Sequence, residues 1–446
     1  MLARLGAALL FATPSFAETW TVGPDSTLFD FTRIQSAVDA ASPGDTICVA
    51  PGLYDRFSLA KPLNVLGAGS DSCFIQSDAG FGGLGINITS ISFGSARVGG
   101  FQLLPDTADN NGSPWIQLNG SQAPVEIFDI LMVIDEPHFG SSGFVGVSTC
   151  RQVVLAGCHV LGPADFSVDL TSMGVSSVID GFHGMWTDHA DVWISDCTLE
   201  GNASNSCYTG TLGGMPQAGH GIEVNQSSVV ISNSVLRGGQ GSSSTLNCPT
   251  IDAGAGLRGT FASVSEIHNG PNTLTIGGYG PGDAAPGPGA LIGGPAALYY
   301  GSEMPTGGGS DSGLQGEAIA QASGEVTLQP TNGIRPTLRP DRYVLPIGST
   351  VTFEHSGIPS ALHWTVFSEN TSTAGLATPV VGQVFVDTTQ SGLFAPTVLD
   401  LDGLGTEVLD IPLDPNLIGF SGIFQAAQVG AGPIVVSTPI LLVITP

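Results

Sequence analysis

The sequence predicts an all-β protein in which a parallel β-helix is followed by a β-sandwich. Three observations predict this fold class: a ten-residue phrase that recurs in mid-chain, a composition with 63 glycines and only 11% charged residues, and a change of pattern near residue 330. The phrase occupies Val153–Gly162, Val192–Gly201 and Val229–Gly238, so that its copies begin 39 and 37 residues apart. Internal repeats of this length are typical of solenoids, in which each repeat buries its apolar side against the next.

Each copy of the phrase contains two short runs of alternating apolar and polar residues. The runs are joined at Gly157, Asp196 or Asn233, and these residue types tolerate the left-handed backbone of a tight corner. A strand, a corner, a second strand and a loop that ends in glycine form one coil of a parallel β-helix. The runs show no 3.6-residue period, so a helical repeat is not predicted.

Weaker copies of the phrase at 96–104 and 125–133 extend the array toward the N-terminus. Equivalent residues on successive coils are expected to stack about 4.8 Å apart, the usual spacing of paired strands. The alignment of the copies predicts two outward columns and one inward column. These are Trp186, Glu223 and Arg258; Leu161, Glu200 and Arg237; and, pointing inward, Cys158, Cys197 and Ser234.

A short amphipathic helix is predicted before the first coil, at Phe31–Ala41, with Thr32 as its N-cap and Pro43-Gly44 as its stop. The helix, the phrase "GDTICVAPGLYD" and the phrase "LNVLGAG" together resemble the start of pectin-lyase-like right-handed parallel β-helix proteins. The resemblance covers residues 20–325. It implies a right-handed β-helix but no single activity, because this fold carries lyases, hydrolases, esterases and non-enzymatic adhesins.

The first 17 residues have the pattern of a secretory signal. Arg4 supplies the charge, Leu5–Phe11 the apolar run and Ser15-Phe16-Ala17 the cleavage site. No later apolar run reaches the roughly 18 residues that span a membrane. We therefore expect a protein that is secreted, extracellular or at the cell surface, with a β-helix domain at 18–325 and a C-terminal domain at 326–446.

The charge balance restricts the partners. The net charge is −27, from 38 acidic and 11 basic residues. A nucleic-acid partner is disfavoured, because such binding depends on Lys and Arg neutralising phosphates. A polysaccharide or cell-surface glycan is the expected partner, although an anionic one is repelled unless cations bridge it.

Seven cysteines in an exported chain make disulfides an expectation. Cys207 and Cys248 lie in loops after successive repeats and are the favoured pair. Cys48 and Cys73, which are 25 residues apart, are the second candidate pair. Two other cysteines of the repeats, at 158 and 197, either bond or stack as core thiols. No cysteine or histidine spacing indicates zinc.

From about residue 330, short alternating runs are separated by Pro, Gly and Asp turns, which predicts a β-sandwich. The segments at 399–405, 411–419 and 424–427 resemble a C-terminal β-domain found on many secreted bacterial proteins. The Asp400-x-Asp402-Gly sequence matches part of a calcium loop. A hairpin turn is the favoured interpretation, and calcium is the only cofactor left open.

The densest polar segments are 180–191 and 219–223. His183 and His220 each lie 14 residues before an equivalent position of the repeat, so they are expected to stack on adjacent coils. An aromatic ring offers a stacking surface to a sugar, and the polar groups bind hydroxyls or transfer protons. The predicted ligand-binding set is His183, Trp186, Asp188, His189, His220, Glu223 and Arg258. Within it, Asp188, His220, Glu223 and Arg258 are the catalytic candidates. The alternative is a purely structural ladder, with Glu223–Arg258 and Glu200–Arg237 as ordinary ion pairs.

The Gly219-His-Gly221 sequence with Arg258 37 residues later is similar to the "GHG … R" part of polygalacturonase-type glycoside hydrolases. The resemblance implies that His220 and Arg258 assist the substrate. It departs from that family at two points: the paired aspartates are absent from 200–207, and Gly259 follows the arginine. Both departures argue against that activity. A uronate lyase needs a basic residue near calcium, and Arg237 and Arg258 both face expected acidic partners.

Three hypotheses remain from the sequence. The first is a secreted or surface protein whose β-helix binds a glycan or another extracellular surface without catalysis. The second is a polysaccharide hydrolase or lyase that uses the same face. The third is a structural, adhesin-like module. The first two differ in whether two carboxylates lie at catalytic separation, and the first and third in whether Trp186 faces a binding surface.

Overall fold

The computed structural model describes the larger part of the chain. The residues described are 17–76, 84–104, 115–133, 143–161, 181–202, 218–241, 250–259, 265–269, 273–281, 284–293, 296–300, 304–323, 327–330, 336–368, 380–381, 391–414, 417–418, 420–429, 434–437 and 439–445. The predicted signal segment, except Ala17, lies outside them.

Two parallel sheets form the β-helix. The larger has 17 strands: β1 (Thr19–Val22), β2 (Thr46–Val49), β3 (Gly52–Asp55), β5 (Asn64–Gly67), β6 (Cys73–Gln76), β8 (Ala96–Leu104), β10 (Val125–Val133), β12 (Val153–Ala156), β13 (His159–Leu161), β15 (Asp191–Ser195), β16 (Thr198–Glu200), β18 (Ser228–Ser232), β19 (Val235–Arg237), β21 (Ser265–Asn269), β22 (Leu274–Ile276), β24 (Ala296–Tyr300) and β26 (Thr327–Pro330). The smaller has nine: β4 (Phe57–Leu59), β7 (Ile86–Thr89), β9 (Ile116–Asn119), β11 (Gly143–Ser148), β14 (His183–Asp188), β17 (Ile222–Asn225), β20 (Leu257–Gly259), β23 (Ala290–Gly293) and β25 (Ile319–Ser323). The predicted parallel β-helix is confirmed.

Within the described residues, the coil of β14, β15 and β16 shows two corners. His189, with φ 51°, ends β14 and leads into β15, and Asp196, with φ 52°, leads from β15 into β16. The next coil repeats the second corner at Asn233, φ 48°, and the previous coil at Gly157, φ 60°. The three residues that the sequence places at corners therefore all adopt the left-handed backbone, which Gly, Asn and Asp tolerate best.

The register of the repeat is also confirmed. Val153 pairs with Val192, and Val192 with Val229. Trp186 pairs with Glu223 and Glu223 with Arg258, as the outward column requires. The predicted inward column is buried, at 2% exposure for Cys158, 1% for Cys197 and 1% for Ser234.

The capping helix α1 is shorter than predicted. It spans Ile34–Ala40, and its N-cap is Arg33, which makes no side-chain capping bond; the predicted N-cap at Thr32 is therefore wrong. The helix is held by burial of Ile34, Ala37 and Val38. At its other end, the ammonium of Lys61 donates to the carbonyls of residues 38, 39 and 41, which satisfies carbonyls that a helix C-terminus leaves free.

A β-sandwich follows the β-helix. Parallel pairing continues through Pro330, and antiparallel pairing begins at Thr337. One sheet has three strands: β27 (Thr337–Pro340), β29 (Thr350–Ser356) and β34 (Leu404–Asp410). The other has eight: β28 (Val344–Pro346), β30 (Leu362–Ser368), β31 (Val380–Val381), β32 (Ser391–Leu393), β33 (Thr397–Val398), β35 (Ser421–Val429), β36 (Ile434–Val436) and β37 (Ile440–Thr445).

The sandwich packs on one side of the β-helix. Outward side chains of the larger parallel sheet, Leu66, Phe128, Val154 and Ala156, belong to the same apolar core as the sandwich residues. We call this side the covered face. At its corner, Asp196 accepts hydrogen bonds from the Tyr343 hydroxyl at 3.0 Å and pairs with Arg339 at 3.0 Å.

Two further side chains of the covered face form a buried ion pair. The Arg97 Nε lies 2.7 Å from Glu126 Oε2, and the two side chains are 5% and 2% exposed. Burial raises the pKa of the Glu126 carboxyl, and the charge and hydrogen bond of Arg97 act against that rise. Arg97, Glu126 and Val154 are paired neighbours on successive coils. Val154 belongs to the core shared with the sandwich, so the ion pair lies next to that core.

The predicted disulfide between Cys48 and Cys73 is wrong. Cys48 and Cys73 are buried free thiols and form no disulfide with each other. Cys48 pairs with Leu66 across the ladder and Cys73 with Gly52, so the two lie in different columns. The cysteines at 158 and 197 are free and stacked, with the N–H of the first 3.4 Å from the sulfur of the second. Cys207 and Cys248 lie outside the described residues.

The sequence analysis found no apolar run long enough to span a membrane, and the helices of the structure can be compared with that expectation. Within the part of the chain that the structure describes, no helix has the length and hydropathy needed to cross a bilayer.

Candidate ligand-binding face

The nine-stranded sheet presents its outward side chains on the other side of the β-helix. We call this side the open face. Its first column runs across successive coils through Ser58, Asn87, Gln117, Gly146, Trp186, Glu223 and Arg258. Its second column runs through Thr89, Asn119, Ser148, Asp188 and Asn225. Alternate residues of each strand point inward and build the core, so polar residues recur at every second position of these strands.

His183 and Glu223 form the tightest contact of the predicted set. The Nδ1 atom of His183 accepts the backbone N–H of His220 at 3.0 Å, so the ring carries its proton on Nε2. That Nε2 lies 2.5 Å from Glu223 Oε2. The imidazole therefore donates a short, charge-assisted hydrogen bond to the carboxylate.

His220 stacks on His183 from the next coil, as the sequence predicts. The ring centroids are 5.0 Å apart with 7° between the planes. The backbone N–H of Ala255 donates to Nδ1 at 2.9 Å, and an Arg258 guanidinium nitrogen lies 3.0 Å from Nε2. Burial, then the neighbouring His183 and the charge of Arg258, hold the pKa of His220 well below its usual value. The site therefore keeps His220 neutral.

Glu223 is stabilised as the ionised carboxylate. Its burial raises the pKa, but the hydrogen bond from His183 and the charge of Arg258 together lower it below the usual value. The net direction is downward, so Glu223 is ionised at neutral pH. A carboxylate in this state is not a proton donor at neutral pH.

Asp188 lies in the second column, beside Trp186 of the first. Its Oδ1 atom accepts a hydrogen bond from the Asn225 amide at 2.7 Å and lies 2.9 Å from His189 Nδ1. Both of these contacts fall on Oδ1. Trp186 is partly exposed, and its neighbour on the preceding coil is Gly146, which has no side chain to flank the indole.

The structure therefore divides the predicted set in two. His183, His220, Glu223 and Arg258 form one connected cluster in which the two imidazoles are buried. Trp186, Asp188 and His189 lie beside it on the exposed part of the face. Glu223 makes its short hydrogen bond with His183, and Arg258, its predicted ion-pair partner, is its neighbour on the next coil and lowers its pKa. The expected pair of Glu200 and Arg237 is present at 2.8 Å.

Sequence reasoning did not single out the rest of the second column. Asn225 binds Asp188 directly, and Ser148 and Asn119 continue the column upstream. The signal was present in the alignment of copies, because each of these residues ends the strand of its coil. It was overlooked because amides and hydroxyls carry no charge and form no motif.

Two cavities lie at the junction between the β-helix and the sandwich, away from the open face. They have volumes of about 770 Å³ and about 570 Å³. The first is lined by Asp129, whose carboxylate binds the hydroxyl and N–H of Ser70, and by Asp196, which binds the sandwich. Asp129 therefore serves a contact within the β-helix, and Asp196 serves the contact between the two domains.

The segment that matches part of a calcium loop, Asp400–Gly403, forms a tight turn. Asp400 Oδ1 accepts the backbone N–H groups of Asp402 at 2.9 Å and Leu404 at 2.8 Å. This is the geometry of an aspartate that closes a hairpin turn. Among the residues described, no three His, Cys, Asp or Glu side chains are grouped to hold a metal ion. Calcium at this turn stays a prediction.

Comparison with solved structures finds matches at low identity and low TM-score. The enzymatically active domain of tailspike protein 2 of bacteriophage CBA120 is 14% identical with a TM-score of 0.32, over 92% of this chain and 72% of that one. Full-length tailspike protein 2 of the Escherichia coli O157:H7 bacteriophage is 13% identical with a TM-score of 0.29, over 92% of this chain and 65% of that one. Polygalacturonase from Erwinia carotovora ssp. carotovora is 10% identical with a TM-score of 0.30, over 71% of this chain and 95% of that one. No family model and no curated protein matches the sequence.

Proposed function

We propose that this protein is a secreted or cell-surface module that binds a polysaccharide along the open face without cleaving it. The observation that carries the proposal is the second column, in which Asn119, Ser148, Asp188 and Asn225 follow one another on successive coils beside Trp186. The placement outside the cell rests on the signal pattern of residues 1–17.

The column suits a sugar chain for a physical reason. Sugar hydroxyls both donate and accept hydrogen bonds, and the column supplies amide, hydroxyl and carboxylate groups at the regular spacing of the strands. Trp186 adds an apolar surface on which the face of a sugar ring packs. A rigid β-sheet holds these groups in place before the ligand arrives, which reduces the entropy lost on binding.

The titratable cluster argues against hydrolysis. Glycoside hydrolysis uses a protonated carboxylic acid and a second carboxylate about 5–10 Å away. Glu223 is held ionised by the hydrogen bond from His183, and burial, together with the nearby Arg258 charge, holds His220 neutral. Neither group is an acid that gives up a proton near neutral pH.

The proposal is tested by measuring binding and turnover on the same polysaccharide panel. Asp188→Asn removes the one charged acceptor of the second column, and we expect binding to weaken roughly tenfold to a hundredfold. Asp191→Asn is the matched control, because Asp191 is exposed on β15 of the other sheet, three residues away. Its binding is expected to equal that of the unaltered protein.

Turnover separates the alternatives. We expect no new reducing ends and no unsaturated uronate products on any polymer that binds. Product formation that disappears in Asp188→Asn or Glu223→Gln would make the protein a hydrolase or lyase. Absence of binding to every polymer would leave the structural-module hypothesis.

A further inference from the structure

The charges of the open face are few. Among its described outward side chains, from β4 to β20, two are carboxylates, Asp188 and Glu223, and one is a guanidinium, Arg258. The guanidinium is already engaged, since it lies 3.0 Å from His220 Nε2 and its charge lowers the pKa of Glu223. Apart from the imidazoles of His183 and His189 and the indole N–H of Trp186, the remaining polar groups of the face are hydroxyls and amides.

These charges disfavour an anionic polymer. A polyuronate brings one carboxylate with each sugar, and those carboxylates would lie against Asp188 on a face whose described outward side chains include no second guanidinium and no ammonium group. The whole chain, at −27, adds repulsion at longer range. Two like charges about 4 Å apart at a protein surface weaken binding by at least several-fold.

The face instead matches an uncharged ligand. The carboxylate of Asp188 can accept a hydrogen bond from a sugar hydroxyl, and both of its described contacts fall on Oδ1. The amides of Asn225 and Asn119 and the hydroxyl of Ser148 both donate and accept without charge. Trp186 requires only the apolar face of a sugar ring.

We infer that the ligand of the open face is an uncharged polysaccharide, which lies across the coils of β9, β11, β14 and β17 with Trp186 beneath one ring. The inference rests on the proposed function and specifies the class of polymer that this site takes. Binding then depends on hydroxyl groups and stacking, and it is insensitive to ionic strength because no ion pair forms.

The test uses polymers that differ only in charge. Dextran, cellulose oligomers and galactan are compared with their carboxymethyl derivatives, and polygalacturonate and chitosan are included as anionic and cationic probes. We expect at least one uncharged polymer to bind, with less than a twofold change in Kd between 20 and 500 mM salt as an approximate bound. Its carboxymethyl derivative is expected to bind about tenfold more weakly.

A charge-removing variant sharpens the test. In Asp188→Asn, the uncharged polymer loses a hydrogen-bond acceptor and binds more weakly, whereas the carboxymethyl polymer loses its repulsion. The ratio of the two affinities is therefore expected to move toward one. Asp191→Asn is again the control and leaves the ratio unchanged.

The possible negative results distinguish failure of this inference from failure of the proposed function. Tighter binding of polygalacturonate or chitosan than of every uncharged polymer, lost in Trp186→Ala, would overturn the inference and leave the proposed function standing. No binding to any of the polymers would overturn the proposed function and this inference with it. Uncharged binding that is the same in Trp186→Ala would place the ligand elsewhere and overturn the inference.

Discussion

The two faces of the β-helix are made by the same repeat but differ in what their outward side chains contact. On the covered face, Phe128 and Val154 are buried in a core shared with the sandwich. On the open face, Asp188 and Asn225 bind each other and remain partly exposed. The inward residues of both faces are alike, because they build one continuous core. In this solenoid, apolar outward positions therefore mark a contact between domains, and a polar outward column marks a surface that faces solvent or a ligand.

The largest expected effect comes from truncating the covered face. Phe128→Ala removes a side chain that is 1% exposed in the core between β-helix and sandwich. We expect the free energy of unfolding to fall by about 3–5 kcal/mol, from lost burial and the cavity that remains. Chemical denaturation measures the change.

The control for this truncation is Phe93→Ala. Phe93 is 60% exposed, so its loss is expected to change stability by less than about 0.5 kcal/mol. Equal effects of the two substitutions would contradict the assignment of Phe128 to an interdomain core.

A glycine of the covered face gives the next largest effect. In Gly157→Ala the new Cβ would meet the ring of Tyr343 at 2.3 Å, on a backbone with φ +60°. Gly120→Ala is the matched control, since its φ is +70° but the nearest atom, Ser90 Oγ, is 3.7 Å away. Both variants carry the left-handed strain of about 1 kcal/mol.

Overpacking against Tyr343 is expected to add about 1–3 kcal/mol to the cost of Gly157→Ala alone. We also expect this variant to loosen the sandwich, which limited proteolysis of residues 336–445 would report. If the two alanine variants were equally stable and equally resistant, Gly157 would not lie under the docked sandwich.

Acidification is expected to have a smaller effect on both domains. Burial lowers the pKa of His220 in the β-helix, and burial lowers that of His363 in the sandwich despite its 3.0 Å contact with Gln428. The folded state then binds fewer protons than the unfolded state, where histidine titrates near about 6.5. Stability is therefore full above that pH and is lost as the pH falls below it.

The variant that tests this pH dependence is His363→Gln. His363 faces the ring of His355, 5.6 Å away, and His355 in turn contacts Glu407 at 3.3 Å. Glutamine does not titrate, so the slope of stability against pH between about 5 and 7 is expected to become shallower. An unchanged slope in this variant would show that His363 binds protons equally in both states.

Much of the β-helix was predictable because the repeat is local. Aligning copies gives the corners at Asp196 and Asn233 and the column that contains Trp186 and Glu223, since each follows from a fixed spacing along the chain. The cysteine pair failed because Cys48 and Cys73 lie outside the clear copies, where a spacing of about one coil does not define a column.

The contact between domains was not predictable from the same pattern. Asp196 and Tyr343 are 147 residues apart, and Tyr343 belongs to the sandwich, which lies outside the repeat. The state of His220 was also out of reach, because it depends on an N–H of Ala255 and a guanidinium that only the folded coils bring to the ring. The sequence could place the predicted site residues on one face, but it could not show which of them are already held by contacts within the protein.

The most direct test compares one tryptophan from each face. Trp186 lies on the open face, and Trp193 packs against the core under the sandwich. Trp186→Ala is expected to weaken binding of an uncharged polysaccharide roughly tenfold while changing stability by about 1 kcal/mol or less. Trp193→Ala is expected to lower stability by about 2–3 kcal/mol and to leave the affinity unchanged. Loss of affinity in Trp193→Ala with none in Trp186→Ala would contradict the division of the β-helix into a covered and an open face.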